Sequence, residues 1–377
     1  MPKTSIIIPT YNHARFVTRA VESALAQTDP DREVIVVDDG SADNTRAVLE
    51  PYKGCIHYLY QENRGLSAAR NRGIAAAQGD YFVFLDADDL IPANKLARQM
   101  PLLAAGSDFG LVYSGFQSLS EDGARILGDV RPKRQGHLLK DLLLRRLAIP
   151  TATAVVRREC LERVGVFDES LLAAEDTDMW IRIARAGYAF GYVDELLFQR
   201  RVVAGSMSRN HANQERYEFA RLDKLFSDPT LPPDIRALKA EAYGILHYEF
   251  AAKYYYAGQI ELGQARIRQA VSTCPALAGN RDWLLEWITG FALGPAVDDP
   301  HRLLDCIFDH LPPEAATLKT LRRRAHGHYH AAAMFAAHQS GHPERARPHI
   351  LRAVTGNPAI LRNRGFLRIT LEALIAP

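Results

Sequence analysis

Apolar residues fall into short unbroken runs early in the chain: TSIIIP (4–9), EVIVV (33–37), IHYLY (56–60) and YFVFL (81–85). Runs of this length, rich in β-branched and aromatic residues and without alternation, fit strands buried on both faces. Between them the apolar positions switch to helical spacing. Val17, Ala20, Val21, Ala24 and Leu25 recur along one helical face, residues 44–52 predict a short helix, and Leu66–Ala77 predicts a longer one closed by Gly79. Pro92 opens a further helix. DFGLVYSGF, TATAVVRR and AFGYVDELLFQRRV add strands, the last after a helix over Thr177–Arg185. Strand–helix alternation predicts an α/β fold: a mostly parallel sheet with helices on both faces.

After about Ser208 the strand patterns stop, and Ala, Leu, Arg and Glu at helical spacing dominate. This divides the chain into an α/β domain over 1–208 and an all-α domain over 209–377, with a Pro-rich break at SDPTLPPD (227–234). Gly258, Gly263, Ala270 and Pro275 share their offsets with Gly341, Ala346, Ala353 and Pro358, 83 residues on. The offsets are similar to the helical hairpins of tetratricopeptide repeats. Because 83 is not a multiple of 34, a regular array is excluded, and chance likeness between amphipathic helices is the competing reading.

With 377 residues and 47% hydrophobic content, two cores of ordinary size can form. A net charge of +2 announces no nucleic-acid partner. Four widely spaced cysteines form neither a disulfide framework nor a zinc motif and suit a reducing cytoplasm. MPKTSIIIPTYN is too short in apolar residues for a signal peptide. WLLEWITGFALG (283–294) falls short of the roughly 18 apolar residues of a membrane span. The basic stretch from Arg131 through HLLKDLLLRRL has two readings: a loop and helix packed on the sheet, or a peripheral contact with an anionic membrane.

In open α/β sheets, ligands bind beyond the carboxyl ends of the strands. Polar residues stand there three times: Pro9-Thr10-Tyr11-Asn12, Asp38-Asp39-Gly40-Ser41 and Asp86-Ala87-Asp88-Asp89. In parallel strands these share one acidic rim. Crowded carboxylates repel unless a cation is present. Hard divalent cations take such oxygen ligands, and Mg²⁺ or Mn²⁺ keeps positions open for phosphates. Neither GxxxxGK(S/T) nor a GxGxxG after a strand occurs, which counts against ATPase and dinucleotide-binding functions.

Five segments in order resemble the motifs of inverting glycosyltransferases of family 2, whose fold is GT-A: IIIPTYN (6–12), VVDDGSADNT (36–45), NRGLSAARNRG (63–73), GDYFVFLDADD (79–89) and FDESLLAAEDTDMWIRIARAGY (167–188). The resemblance covers about residues 4–208. It implies a nucleoside diphosphate sugar as donor, UDP- or dTDP-linked, and a hydroxyl of a glycan, lipid-linked or protein acceptor. Asp86-Ala87-Asp88 matches the DxD element. Asp88 would coordinate Mn²⁺ or Mg²⁺, and Asp86 would contact the ribose or the metal. Asp39 would accept a hydrogen bond from the base, with Pro9, Thr10 and Tyr11 lining its pocket. Arg70 would reach the donor, or else form a surface salt bridge. Asp176 matches the catalytic base. Glu175 and Trp180 would line the acceptor or donor-sugar pocket. Acids at a helix start are also common for dipole reasons, and Trp180, Ile183 and Ala184 have core spacing.

One position departs from the family pattern. Val203 fills the slot where many relatives carry a histidine before a small-Ser-x-Ser turn, here Ala204–Ser208. Arg200, Arg201 or His211 would have to supply positive charge instead. A decayed sugar-nucleotide-binding or scaffold protein is therefore the alternative function. A sugar nucleotidyltransferase would need a Gly-rich, basic loop after the first strand, and PTYNHARF is not one. His326, His328 and His330 offer a metal-ligand set of low specificity, since only His326 and His330 share a helical face.

Overall fold

The computed structural model describes residues 4–105, 108–203, 210–294, 297–339 and 341–375. It divides into two compact units, Met1–Ser227 and Asp228–Pro377.

The first unit holds a sheet of eight strands among the described residues: β1 (Thr4–Thr10), β2 (Arg32–Asp38), β3 (His57–Tyr60), β4 (Tyr81–Phe84), β5 (Phe109–Leu119), β6 (Ile126–Val130), β7 (Val155–Arg157) and β8 (Ala189–Arg201). Their order is β3-β2-β1-β4-β7-β5-β6, and β8 also pairs with β5. The β1–β4 group is parallel throughout. Beyond it β7 and β6 run antiparallel to their neighbours, while β5 and β8 are parallel. The helices are α1 (Val17–Leu25), α2 (Thr45–Leu49), α3 (Leu66–Ala76), α4 (Lys95–Ala105), α5 (Leu139–Leu143), α6 (Arg158–Val164), α7 (Glu175–Arg185) and α8 (His211–Ser227). TSIIIP, EVIVV and YFVFL become the central strands β1, β2 and β4 because both faces are covered, whereas IHYLY forms the edge strand β3, with His57 and Tyr60 exposed. Ile6, Ile8, Val34, Val36, Val83 and Leu85 share one core with Val17, Val21 and Leu96.

Several expectations shift. α4 starts at Lys95, because Pro92 first forms a turn whose carbonyl accepts from Lys95 N and Gln27 Nε2. TATAVVRR splits into a 3₁₀ turn, Thr151–Thr153, and the short β7. β6 was not expected, since its residues are mostly exposed and carry no strong strand pattern. Leu138, Leu142, Leu143, Leu144 and Leu147 are all buried. The apolar side that a membrane contact would need is thus packed inside the protein, and the basic stretch follows the packed reading. No described helix is long and apolar enough to cross a membrane. The contact boundary lies after α8, later than the composition change at Ser208, a residue outside the described ones.

The second unit is helical: α9 (Pro233–Arg236), α10 (Lys239–Tyr256), α11 (Ile260–Thr273), α12 (Pro275–Gly279), α13 (Arg281–Ala292), α14 (Pro300–Asp309), α15 (Arg322–Gln339), α16 (Arg347–Gly356) and α17 (Arg364–Ile375). The 83-residue offset is spatial as well as sequential. Gly258 and Gly341 both take the left-handed conformation at the turn of a helical hairpin. A Cβ on Gly244 of α10 would meet Cys274 at 2.8 Å, and one on Gly327 of α15 would meet Asn357 N at 2.6 Å. These pairs differ by 83 residues at both ends, so α10–α11 and α15–α16 cross in the same way.

Close packing also seats α3 on β1, where a Cβ on Gly73 would fall 2.4 Å from Ile7 Cγ2. Gly73→Ala gains up to about 1 kcal/mol of helix propensity but overpacks a rigid β-branched neighbour, which typically costs about 1–3 kcal/mol. The expected result is a lower urea midpoint; a midpoint at or above wild type would mean that this contact yields freely.

Candidate active site

Three strand ends meet at one edge of the sheet. Thr10 is paired in register with Asp38, and Asp39 N donates to the Thr10 carbonyl. Asn12, at φ 55°, ties the first two loops together: its side-chain carbonyl accepts from Ala42 N and Asp43 N, and its N–H donates to Ser41 Oγ. Asp38 caps the turn at Ser41 N (2.8 Å) and accepts from the Tyr58 hydroxyl (2.7 Å). Asp39 is buried and accepts from Gln61 Nε2 (2.6 Å), Arg64 N (2.9 Å) and Gly65 N (2.8 Å). A carboxylate has roughly four acceptor sites, so about one remains open. The Thr10 hydroxyl is buried without a partner among the described residues, a polar group that a ligand could satisfy. Pro9 is buried in β1, and the Tyr11 ring is half exposed at the rim.

Arg70 is the unexpected centre of the site. It is 1% exposed, so the surface salt bridge is excluded. Nη1 donates to Glu175 Oε1 at 2.6 Å and Nη2 to Asp86 Oδ1 at 2.7 Å, while the Phe167 ring lies 5.3 Å from the guanidinium. One side chain on α3 thus joins the end of β4 to the start of α7. Its Nε has no partner among the described residues. α7 itself begins after Ala174, held at φ 61°, a conformation uncommon for a non-glycine residue.

Asp176, next to Glu175, is half-buried. Thr151 Oγ1 donates to its Oδ2 at 3.4 Å, and Thr177 N donates to its Oδ1 at 2.6 Å. Desolvation, with Glu175 and Glu218 adding repulsion and Arg70 opposing them, pushes its pKa up to about 7. Glu218 lies on α8 and is ion-paired with Arg145 and Arg221. Thr151 sits on a braced segment. Trp180 Nε1 donates to Ile149 O (2.9 Å), and Lys95 Nζ and Gln99 Nε2 both donate to Thr153 O (2.9 Å each). Lys95 is fully buried, and desolvation lowers its pKa to about 7. Trp180 is likewise buried, with its indole N–H engaged in the interior. It occupies the core position that its helical spacing also allowed.

The acids after β4 have separate surroundings. Asp89 is buried, receives Arg201 N at 2.7 Å and braces the loop against the end of β8. Burial and its two acidic neighbours raise its pKa well above the carboxylate range. No other residue hydrogen-bonds the Asp88 carboxylate among the described ones. Desolvation and the charge of Asp86 raise its pKa, with His13 and Arg201 opposing. Arg201 Nε donates to the Asp88 carbonyl, so positive charge does reach the corner where Val203 replaces the expected histidine. The Ser-x-Ser turn itself lies outside the described residues.

These oxygens fit a hard divalent cation. No group of three or more His, Cys, Asp or Glu among the described residues is arranged to hold a metal. A cation would therefore rest on Asp88 and Asp86 with most positions open to phosphate oxygens, the pattern typical of Mg²⁺ and Mn²⁺. Sequence reading missed Thr151, Glu218 and Lys95, because each acts through contacts distant in the chain.

Comparison with known proteins bears on the family and the fold. The family model described as glycosyl transferase family 2 matches residues 5–165. An uncharacterized glycosyltransferase of Rickettsia prowazekii is 35% identical over 223 residues, 58% of this chain and 70% of that protein. TuaG of Bacillus subtilis, a glycosyltransferase provisionally assigned to teichuronic acid biosynthesis, is 30% identical over 55% of this chain and 82% of its own length. Among solved structures, S. aureus TarS 1–349 in complex with UDP-GlcNAc aligns at TM-score 0.51 and 18% identity over 90% of this chain and 92% of that one. The Pyrobaculum calidifontis mannosyltransferase PcManGT, in complex with GDP-Man and Mn²⁺, aligns at TM-score 0.53 and 19% identity over 99% and 87%. At these identities the structural likeness establishes the GT-A fold.

Removing one partner of a buried ion pair leaves an uncompensated charge. Arg70→Met should lower unfolding free energy by about 3–5 kcal/mol. Adding Glu175→Gln removes one orphaned charge, so the double variant should melt in urea above Arg70→Met alone. Identical midpoints would show that Glu175 does not depend on this guanidinium.

Proposed function

The chain belongs to glycosyl transferase family 2, and from that membership we propose that its first unit is an inverting, metal-dependent glycosyltransferase using a UDP- or dTDP-sugar. The observation that carries this reading is the Arg70 clamp, which ties Asp86 of the DxD element to the helix start bearing Asp176. Donor-phosphate and acceptor chemistry would then share one rigid frame. The acceptor is a hydroxyl of a glycan, lipid-linked or protein molecule.

In the proposed mechanism the base enters beside Pro9, Thr10 and Tyr11, and its N–H donates to the open acceptor site of Asp39. Asp88 and Asp86 hold Mn²⁺ or Mg²⁺, which when bound neutralises charge on the diphosphate. Asp176 receives the acceptor proton while that oxygen bonds to the anomeric carbon and the bond to the diphosphate breaks. Attack from the face opposite the leaving group inverts the anomeric centre. Glu175 keeps Arg70 in place and, with it, orients the acid beside it. The UDP-GlcNAc and GDP-Man bound by the two structural neighbours support a nucleotide-sugar donor as a class. The scaffold alternative rests on Val203, and Arg201 beside Asp88 weighs against it.

Asp176→Asn keeps size but cannot take the proton, and should cost on the order of 10²–10⁴ in rate with donor affinity near wild type. In the wild type the carboxylate form is required, so kcat/KM should fall as pH drops through about 7. Wild-type turnover by Asp176→Asn with chemistry limiting would remove it as the base.

Asp88→Asn tests the metal by binding rather than turnover. UDP affinity should fall far more in Mn²⁺ than in EDTA. Equal losses in both media would mean that Asp88 acts without a cation.

A further inference from the structure

The second unit contains a cavity of about 460 Å³ between α15 and α16, lined by Arg322, Arg323, His326, His330, Arg352, Thr355 and Gly356. No carboxylate lines it. Arg322 is neutralised nearby by Asp305 and Asp309. Arg323 donates through Nε and Nη2 to the Thr355 carbonyl, so its charge is uncompensated. Arg352 is exposed, and its guanidinium has no hydrogen-bond or ion-pair partner among the described residues. Behind these, imidazoles pair with one another: His301 with His326 (Nδ1 to Nδ1, 3.1 Å) and His330 with His349 (2.7 Å). His326 Nε2 also contacts Asp305 at 3.1 Å.

The internal repeat separates what the scaffold needs from what it does not. Stepping back 83 residues from Arg323, His326 and Arg352 reaches Ala240, Tyr243 and Gln269. The first hairpin therefore makes the same crossing, with Gly244 in the place of Gly327, without a basic group at these three positions, while Lys239 and His247 match Arg322 and His330. Arg323, His326 and Arg352 are thus not required for the crossing itself. Guanidinium groups present planar forks of donors that match phosphate oxygens, and Arg is preferred where such groups are recognised.

We propose that this cavity binds a phosphate-bearing ligand, held by Arg323 and Arg352 with His326 and His330 at its wall. Two sources share that chemistry, a small phosphorylated molecule and a phosphodiester along a polymer. The positive field there is already felt by the buried ring of His330, whose pKa is lowered to about 4 by burial and then by His349, His301 and Arg352.

The test is calorimetric titration of the full chain with pyrophosphate and with a short phosphodiester oligomer, in EDTA. Arg323→Ala and Arg352→Gln install the first hairpin's residues. Each should weaken binding by about tenfold or more, the scale of one lost charge-assisted hydrogen bond. Arg352 is unpartnered, so Arg352→Gln should leave the melting temperature in place even if Arg323→Ala does not. Asp88→Asn should bind like wild type. Tighter binding of the oligomer than of pyrophosphate would identify the polymer source, and the reverse the small one. Absence of binding by both probes, indifference to Arg352→Gln, or loss in Asp88→Asn would overturn the proposal.

Discussion

A buried guanidinium must find carboxylates, and Arg70 finds two on elements that the chain brings together from far apart. Glu175 lies 105 residues away in sequence and Asp86 lies 16 away. Desolvating such a cluster costs several kcal/mol per ion, and a well-packed apolar replacement is often neutral or more stable. Its value is therefore geometric. With Arg70 in place, the end of β4 and the start of α7 cannot drift apart without exposing a charge to an apolar interior. Asp176 inherits its position from this constraint, and its raised pKa reports the same surroundings.

The corner is also deliberately unbalanced. Asp86, Asp88, Asp89, Glu175 and Asp176 face Arg70 and Arg201, so negative charge remains in excess. Asp89 relieves part of it by bonding Arg201 N, and Asp86 by holding Arg70. Asp88 has no such partner and carries a raised pKa. An acid left under repulsion in a partly dry setting is the one that gains most from a cation, which favours Asp88 over its neighbours as the principal ligand.

Sequence made the central strands legible because each is apolar on both faces, and it made the acids legible because they follow those strands directly. It did not reveal Arg70's partners, since no local pattern encodes a pairing across 105 residues. Trp180 shows the converse. Its helical spacing with Ile183 and Ala184 already allowed a core position, and the Ile149 carbonyl supplies what a buried indole N–H requires. α8 misleads by composition. Its helical, charged sequence groups it with the all-α half, yet Glu218 and Arg221 form a buried pair that Arg145 ties into the first unit. Likewise the leucines of residues 138–147 allow a membrane face in the sequence, yet the fold buries them, with α7 packed against α5. Amphipathic spacing states that a face is buried, not what buries it.

Whole-chain charge conceals this organisation entirely. A net charge of +2 averages over an acidic rim in one unit and a basic cavity in the other. Charge acts over a Debye length of about 10 Å at ordinary ionic strength, so a ligand responds to the local set and not to the total. The helical repeat makes the second set interpretable. Two hairpins built on the same glycine crossings share a basic residue at three matched positions, Lys239 with Arg322, His247 with His330 and Arg266 with His349, and differ at Arg323, His326 and Arg352. The crossing that stands on Ala240, Tyr243 and Gln269 in one copy does not by itself explain those three charges in the other.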